Sequence, residues 1–212
     1  NPPDFGILPL LSASLVVTLG AMVVSVPLGI ASAIFISYIL PKKLKNIVKP
    51  MIELLAGVPS VIYGLFGMKL LGPFLKDVFD LPTGLTALTA SIMLGIMALP
   101  TIMSLAEDAI SSVPISFRDA SLALGGTKWE TISRIIVPTA SSGIVTSIIL
   151  GMGRAIGETM TVLMVAGGAA VMPTDIFKPV RPMTATIAAE MGEAPVGSEH
   201  YHALFGIAII LF

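Results

Sequence analysis

Two opposite charges stand four residues apart inside a long apolar run. Arg154 and Glu158 lie in GMGRAIGETMTVLMVAGG, residues 151–168. Read as one helix, the run puts both side chains on one face. An arginine at mid-membrane depth costs ~2.5–3.5 kcal/mol on insertion scales, so it must face a partner, a cavity or water. Gly151, Gly153 and Gly157 surround the pair and let another helix approach closely. Thr159 and Thr161 add hydroxyls. One chemistry for this set is an anion path, in which Arg154 attracts the anion and Glu158 holds the guanidinium and limits the grip. The other reading is a structural ion pair that neutralises itself between helices. One arginine does not name the anion.

A second polar constellation lies at 114–138, PISFRDASLALGGTKWETISRIIVP. Pro114 pre-sets a first helical turn. Asp119 to Leu124 form a short helical run, which Gly125 and Gly126 break. Thr127 followed by Glu130 has capping-box spacing for a second helix. There Trp129, Ile132 and Ile136 fall on one face at helical spacing. The acidic residue Asp119, the small Ala120 and Ser121, Gly125, and Ile135, Val137 and Pro138 together resemble the EAA loop of ABC-importer permeases. Aspartate stands for the usual glutamate and Ser121 for the second alanine. The resemblance implies that Asp119, Ala120, Ser121 and Gly125 belong to a cytoplasmic dock for a separate ATPase. Trp129 is either part of that docked face, which we favour, or an interfacial anchor.

Composition says what must carry these groups. The 212 residues are 55% hydrophobic and 12% charged, with mean hydropathy +0.95. Soluble domains are near 25% charged, so the chain falls in the membrane class. A net charge of −1 offers no basic field for nucleic acid. With no cysteine, disulfides, thiol catalysis and thiolate metal sites are excluded. Neither a Walker A sequence nor HExxH or GxSxG is present. The chain is therefore expected not to be an enzyme, and ATP hydrolysis, where used, falls to another chain.

Residues 10–40 carry no charge and exceed the roughly 20 residues a span requires; Pro27 and Gly29 are expected to bend them. Lys42, Lys43, Lys45 and Lys49 make a short basic loop, placed in the cytoplasm by the positive-inside rule. Further spans are expected over 47–75, interrupted by Glu53 near its start, by Gly57 and Pro59, and by Lys69 near its end; over 85–106, with a kink at Pro100; and over 143–168. Glu107 and Asp108 mark the exit of the third. Residues 76–84 read as an outside turn, and 169–201 as a long outside segment. The last apolar run, 203–212, is too short to cross a bilayer. Glu53 is expected to pair with Lys49, Glu190 and Glu193 to be solvated, and His200 and His202 not to bind metal.

A narrower resemblance rests on four stretches. GRAIGETMTVLMVAGG, IELLAGVPSVIYGLFG (52–67), FGILPL (5–10) and RPMTATIAAEMGEA (181–194) together resemble phosphate ABC-transporter permeases of the PstC type. The resemblance implies an all-α integral membrane fold, a polytopic helical bundle with the MetI-like importer core. It implies one transmembrane permease domain over 1–212, with 107–138 as its cytoplasmic coupling segment. Family members have six spans, so the first helix and the end of the last are expected to be missing here. The implied partners are a second, PstA-type permease, an ATPase dimer carrying ATP and Mg, and an external phosphate-binding protein. The implied location is the prokaryotic inner membrane, multi-pass, in contact with lipid. By the family's motif Arg154 and Glu158 lie along the substrate path. Phosphate comes from this resemblance alone. The rivals are a secondary anion transporter or channel using the Arg154–Glu158 pair, and a membrane scaffold without transport.

Overall fold

The computed structural model describes residues 6–212, apart from the side chain of Lys42; Phe5 of the FGILPL stretch lies outside the described residues. The fold is all-α. The helices are α1 (Leu8–Ile34), α2 (Lys42–Ala56), α3 (Ser60–Phe66), α4 (Gly72–Val78), α5 (Ala87–Ser111), α6 (Ile115–Ala123), α7 (Lys128–Thr131), α8 (Val137–Thr139), α9 (Ser141–Ile156), α10 (Met160–Val165), α11 (Met183–Glu190) and α12 (Glu199–Leu211). Three wider π turns extend them, Phe35–Ile39, Gly67–Leu71 and Ile132–Ile136. Among the described residues the only extended pairing is an isolated parallel bridge between Gly167 and Val180.

Two of the four expected spans are continuous, Leu8–Ile39 and Ala87–Ser111. Helix α1 runs through Pro27 and α5 through Pro100. The second expected span is broken where predicted: α2 ends at Ala56 and Pro59 caps α3. The basic stretch after α1 is helical rather than a loop, since α2 begins at Lys42. Helix α5 continues past the expected exit to Ser111. The fourth span is shifted toward the N-terminus. Lys128–Thr139 and Ser141–Ile156 together are long and apolar enough to cross, but bend by 68° at their junction. Residues 169–201 are not a plain outside loop, because α11 lies within them with Met183 to Thr186 buried.

The chain forms two compact units. Among the described residues one comprises 6–24, 58–97 and 154–212, the other 25–57 and 98–153. In the second unit a core joins Ala33, Ala106, Ile110, Ile136, Ala140 and Ile144. Alanines at such contacts let helix backbones close up, which is how packing holds helices where lipid is as apolar as leucine. A neighbouring cluster joins Ile36, Ile52 and Met103.

In the first unit α1 packs closely against α5: a Cβ on Gly20 would meet Ser91, and one on Gly95 would meet the Ala21 carbonyl and Val24. Gly72 and Gly84 bring two backbones together. A Cβ on Gly84 would stand 2.2 Å from the Gly72 carbonyl oxygen. Gly84→Ala is therefore expected to destabilise the fold by about 1–3 kcal/mol, the usual cost of overpacking. Gly192, with open space around its Cβ position, is the control. The thermal midpoint of the detergent-extracted protein should fall for the first substitution and hold for Gly192→Ala.

Candidate functional site

Arg154 sits in the last turn of α9, which ends at Ile156. Gly157 turns, Glu158 and Thr159 are non-helical, and α10 starts at Met160. The expectation of one helix through 151–168, with both charges on one face, is thus corrected. The break falls where glycine and threonine weaken the helix, and side chains take over the freed backbone groups. A Glu158 carboxylate oxygen accepts from the Thr161 amide at 3.2 Å. The Thr184 hydroxyl donates to the Glu158 carbonyl at 2.8 Å. The break also orders the charges: a cation ends one helix and a carboxylate opens the next, each favourable to its helix dipole.

Thr161 is fully buried and its hydroxyl donates to the Ser60 carbonyl at 2.9 Å. The Thr159 hydroxyl reaches the Gly157 carbonyl at 3.4 Å. A narrow cleft here is lined by Ser14, Thr18, Glu158, Pro182 and Thr184 among apolar neighbours. Of the four expected path residues only Glu158 lines it. Arg154 is half-buried in the same unit. Ser14 and Thr184 escaped the sequence reading because each lies far along the chain from the motif. Ser14 accepts from the Met183 amide at 2.9 Å, tying α1 to the start of α11.

In residues 114–138 the local geometry follows the residue types. Gly125 has φ +85°, the left-handed conformation that ends a helix most easily with glycine. The Thr127 hydroxyl accepts from the Glu130 amide at 3.2 Å, and the Glu130 carboxylate accepts from the Thr127 amide at 3.0 Å. Ser121 and Thr131 share a hydroxyl hydrogen bond of 2.9 Å, which pins α6 to α7. Asp119, Ala120 and Gly125 are exposed and Ser121 is half-buried. Trp129 departs from the expected common face: it is 68% exposed while Ile132 and Ile136 are buried. Trp129 stands in the short helix α7, ahead of the π turn at Ile132–Ile136.

A third cluster was not anticipated. Glu107 is 1% exposed. Lys45 reaches it at 2.5 Å and Lys49 at 2.7 Å. Ser111 donates at 2.5 Å and Ser37 at 3.3 Å, and Lys49 also pairs with Asp108. The expected Glu53–Lys49 pair is replaced by these contacts, and Glu53 is exposed. The available signal was a lysine run and an acidic pair at the same expected membrane face. In the first unit Glu190 is likewise not simply solvated, since it pairs with Arg181 and lies 3.2 Å from His200. Among the described residues no three His, Asp or Glu side chains gather as a metal site.

Residues 25–211 match the family model "Binding-protein-dependent transport system inner membrane component". The chain belongs to this family. It is a transport permease and an integral membrane component. It is 40% identical over its whole length to the "Probable ABC transporter permease protein YqgH" of Bacillus subtilis, covering 68% of that protein. It is 35% identical to the "Phosphate transport system permease protein PstC" of Mesorhizobium japonicum, over 98% of this chain and 69% of that one. It spans about two thirds of the length of these relatives. Among solved structures, a chain of the MetNI methionine ABC transporter superposes with TM-score 0.67 at 19% identity, covering 97% of this chain and 87% of that one. That likeness bears on the fold alone, which is the importer-permease fold.

The buried carboxylate gives this permease a direct test. Glu107→Leu would take from Lys45 its ion-pair partner and leave Lys49 with Asp108 alone, a loss of about 1–3 kcal/mol. Glu53→Gln, at an exposed position, should stay within about 0.5 kcal/mol. Thermal denaturation of the two detergent-extracted variants checks both expectations.

Proposed function

We propose that the chain is the PstC-type membrane-spanning subunit of an ATP-driven phosphate importer. It forms part of the anion path and engages a separate ATPase through residues 114–138. The observation that carries the reading is its likeness, over nearly all its residues, to relatives named phosphate transport permeases. The family is one of binding-protein-dependent transport, which favours this reading over a secondary transporter or channel. The chain itself is not an enzyme and binds no cofactor; ATP and Mg belong to the ATPase dimer. A second, PstA-type permease and an external phosphate-binding protein complete the complex in a prokaryotic inner membrane, which the chain crosses several times.

In this reading the helix break is where the anion is met. Arg154 supplies the positive charge, with the half-buried Glu158 and Thr159 beside it. Thr161 acts from behind, holding the break closed through Ser60. Asp119, Ala120, Ser121 and Gly125 form the ATPase-facing side, with Trp129 at its edge. ATP binding draws the ATPase subunits together, and the difference in stability between two packings of the helices turns that movement into alternating access.

The first experiment is purification of the tagged full-length chain from its own host, with its partners identified by mass spectrometry. An ATPase and a second permease should copurify; a chain that emerges alone would overturn the reading. In the reconstituted complex, Arg154→Leu should abolish phosphate uptake while assembly persists. Gly125→Trp should leave ATP hydrolysis running without uptake, because a bulky side chain at positive φ cannot keep the turn.

A further inference from the structure

Beside the coupling segment lies a groove of about 210 Å³, lined by Tyr38, Ile39, Arg118, Leu122, Lys128, Trp129, Thr131 and Ile132. Its lining divides by chemistry. Ile39, Leu122 and Ile132 are apolar. Tyr38 and Trp129 are aromatics with a polar edge. Arg118 and Lys128 are exposed cations. No carboxylate lines it. Of the nearby acids, Glu130 is bound to Thr127, and Asp119 lies outside the lining. The Thr131 hydroxyl is committed to Ser121 and to the Thr127 carbonyl. The ligand-facing polarity is therefore cationic.

The depth of the groove follows from the chain. Tyr38 and Ile39 end the 32-residue apolar span Leu8–Ile39. At 1.5 Å per residue such a span is about 48 Å long, against ~40–45 Å for a bilayer with its headgroups. A helix of that length is long enough to reach the headgroup region, where tyrosine and tryptophan concentrate. Lys43, Lys45 and Lys49 follow on the same side. An apolar floor, an aromatic rim and two unneutralised cations at that depth fit one kind of occupant.

We propose that this groove binds an anionic phospholipid of the cytoplasmic leaflet. Arg118 and Lys128 hold its phosphate, Trp129 covers the glycerol region, and Ile39, Leu122 and Ile132 take the first acyl methylenes. The inference rests on the reading above, which puts residues 114–138 at the cytoplasmic face. It moves Trp129 to the lipid edge of the dock and makes coupling sensitive to bilayer charge.

Trp129 is the single tryptophan of this sequence, so it serves as the probe. Complexes carrying Trp129 or Trp129→Phe are reconstituted in nanodiscs, and the difference in their fluorescence isolates Trp129. A minor fraction of acyl-brominated phosphatidylglycerol or phosphatidylcholine is then included as quencher. Each cation near the surface should favour the anionic lipid about fivefold. Phosphatidylglycerol should thus quench Trp129 at least fivefold more strongly at matched fractions, and Arg118→Gln with Lys128→Gln should erase the excess. Equal quenching by the two lipids would overturn the proposal, as would a Trp129 that neither lipid reaches and that the ATPase shields. The comparison of lipids does not use the double variant, so misfolding of that variant cannot mask the result. Copurification of the ATPase is scored separately, so failure of the importer reading is distinguishable from failure of the lipid site.

Discussion

Within a bilayer, a peptide group released from a helix finds no water to replace its lost hydrogen bond. Everything unusual in this permease follows from that constraint. The chain interrupts its apolar helices at 57–59 and again at 157–159, and it answers each interruption with side chains. The two breaks are answered together. Thr161, just after the second, donates its hydroxyl to Ser60, just after the first. Thr184, from α11, caps the Glu158 carbonyl, and Glu158 caps the Thr161 amide. Among the described residues no buried side-chain nitrogen or oxygen is left without a partner. A helix broken on these terms is a fixed feature rather than a frayed one. It presents charge at its two ends, with the Glu158 carbonyl and the Thr161 amide both taken by side chains.

The same constraint separates what the sequence disclosed from what it hid. The coupling turn was legible because its signals are local: a glycine that reaches positive φ, and a threonine and glutamate three residues apart. Contacts of that range are written in neighbouring residues. The break at 157–159 was not legible. Its stabilising partners, Ser60 and Thr184, lie 101 and 26 residues from the groups they satisfy. Without them GRAIGETMTVLMV reads as one apolar helix. Trp129 differs for another reason: it stands in a four-residue helix, Lys128–Thr131, too short for helical spacing to fix which face it shares with Ile132 and Ile136. Glu107 was misjudged because a charged residue near a span end looks like an exit, and only the lysines of α2 reveal that it is buried.

That buried carboxylate gives the lysine run a second task. Positive charge after α1 orients the chain in the membrane, but Lys45 and Lys49 also reach across from α2 to a glutamate on α5. A carboxylate and an ammonium each lose several kcal/mol of hydration on burial, so the cluster holds only because each charge keeps several hydrogen bonds. Here Glu107 has four partners, two of them hydroxyls that do not compete for charge. The lysines remain about a quarter exposed, which lowers the desolvation cost on their side.

For a partner's movement to do work on the helices, the segment it grips must be stiff and must be joined to what it moves. Both conditions are met within one compact unit. The Thr127–Glu130 capping box and the Ser121–Thr131 bond remove the freedom of the turn between α6 and α7. Ile136, one turn further on, is wholly buried against Ala33 of α1 and Ala106 and Ile110 of α5. A load on the exposed face of α6 therefore has no loose joint before it meets the packed core. Packed cores change by switching between arrangements rather than by yielding gradually. Stiffness in an exposed segment and close packing behind it are what a two-state permease requires, and this sequence supplies them with a capping box, one left-handed glycine and three small alanines.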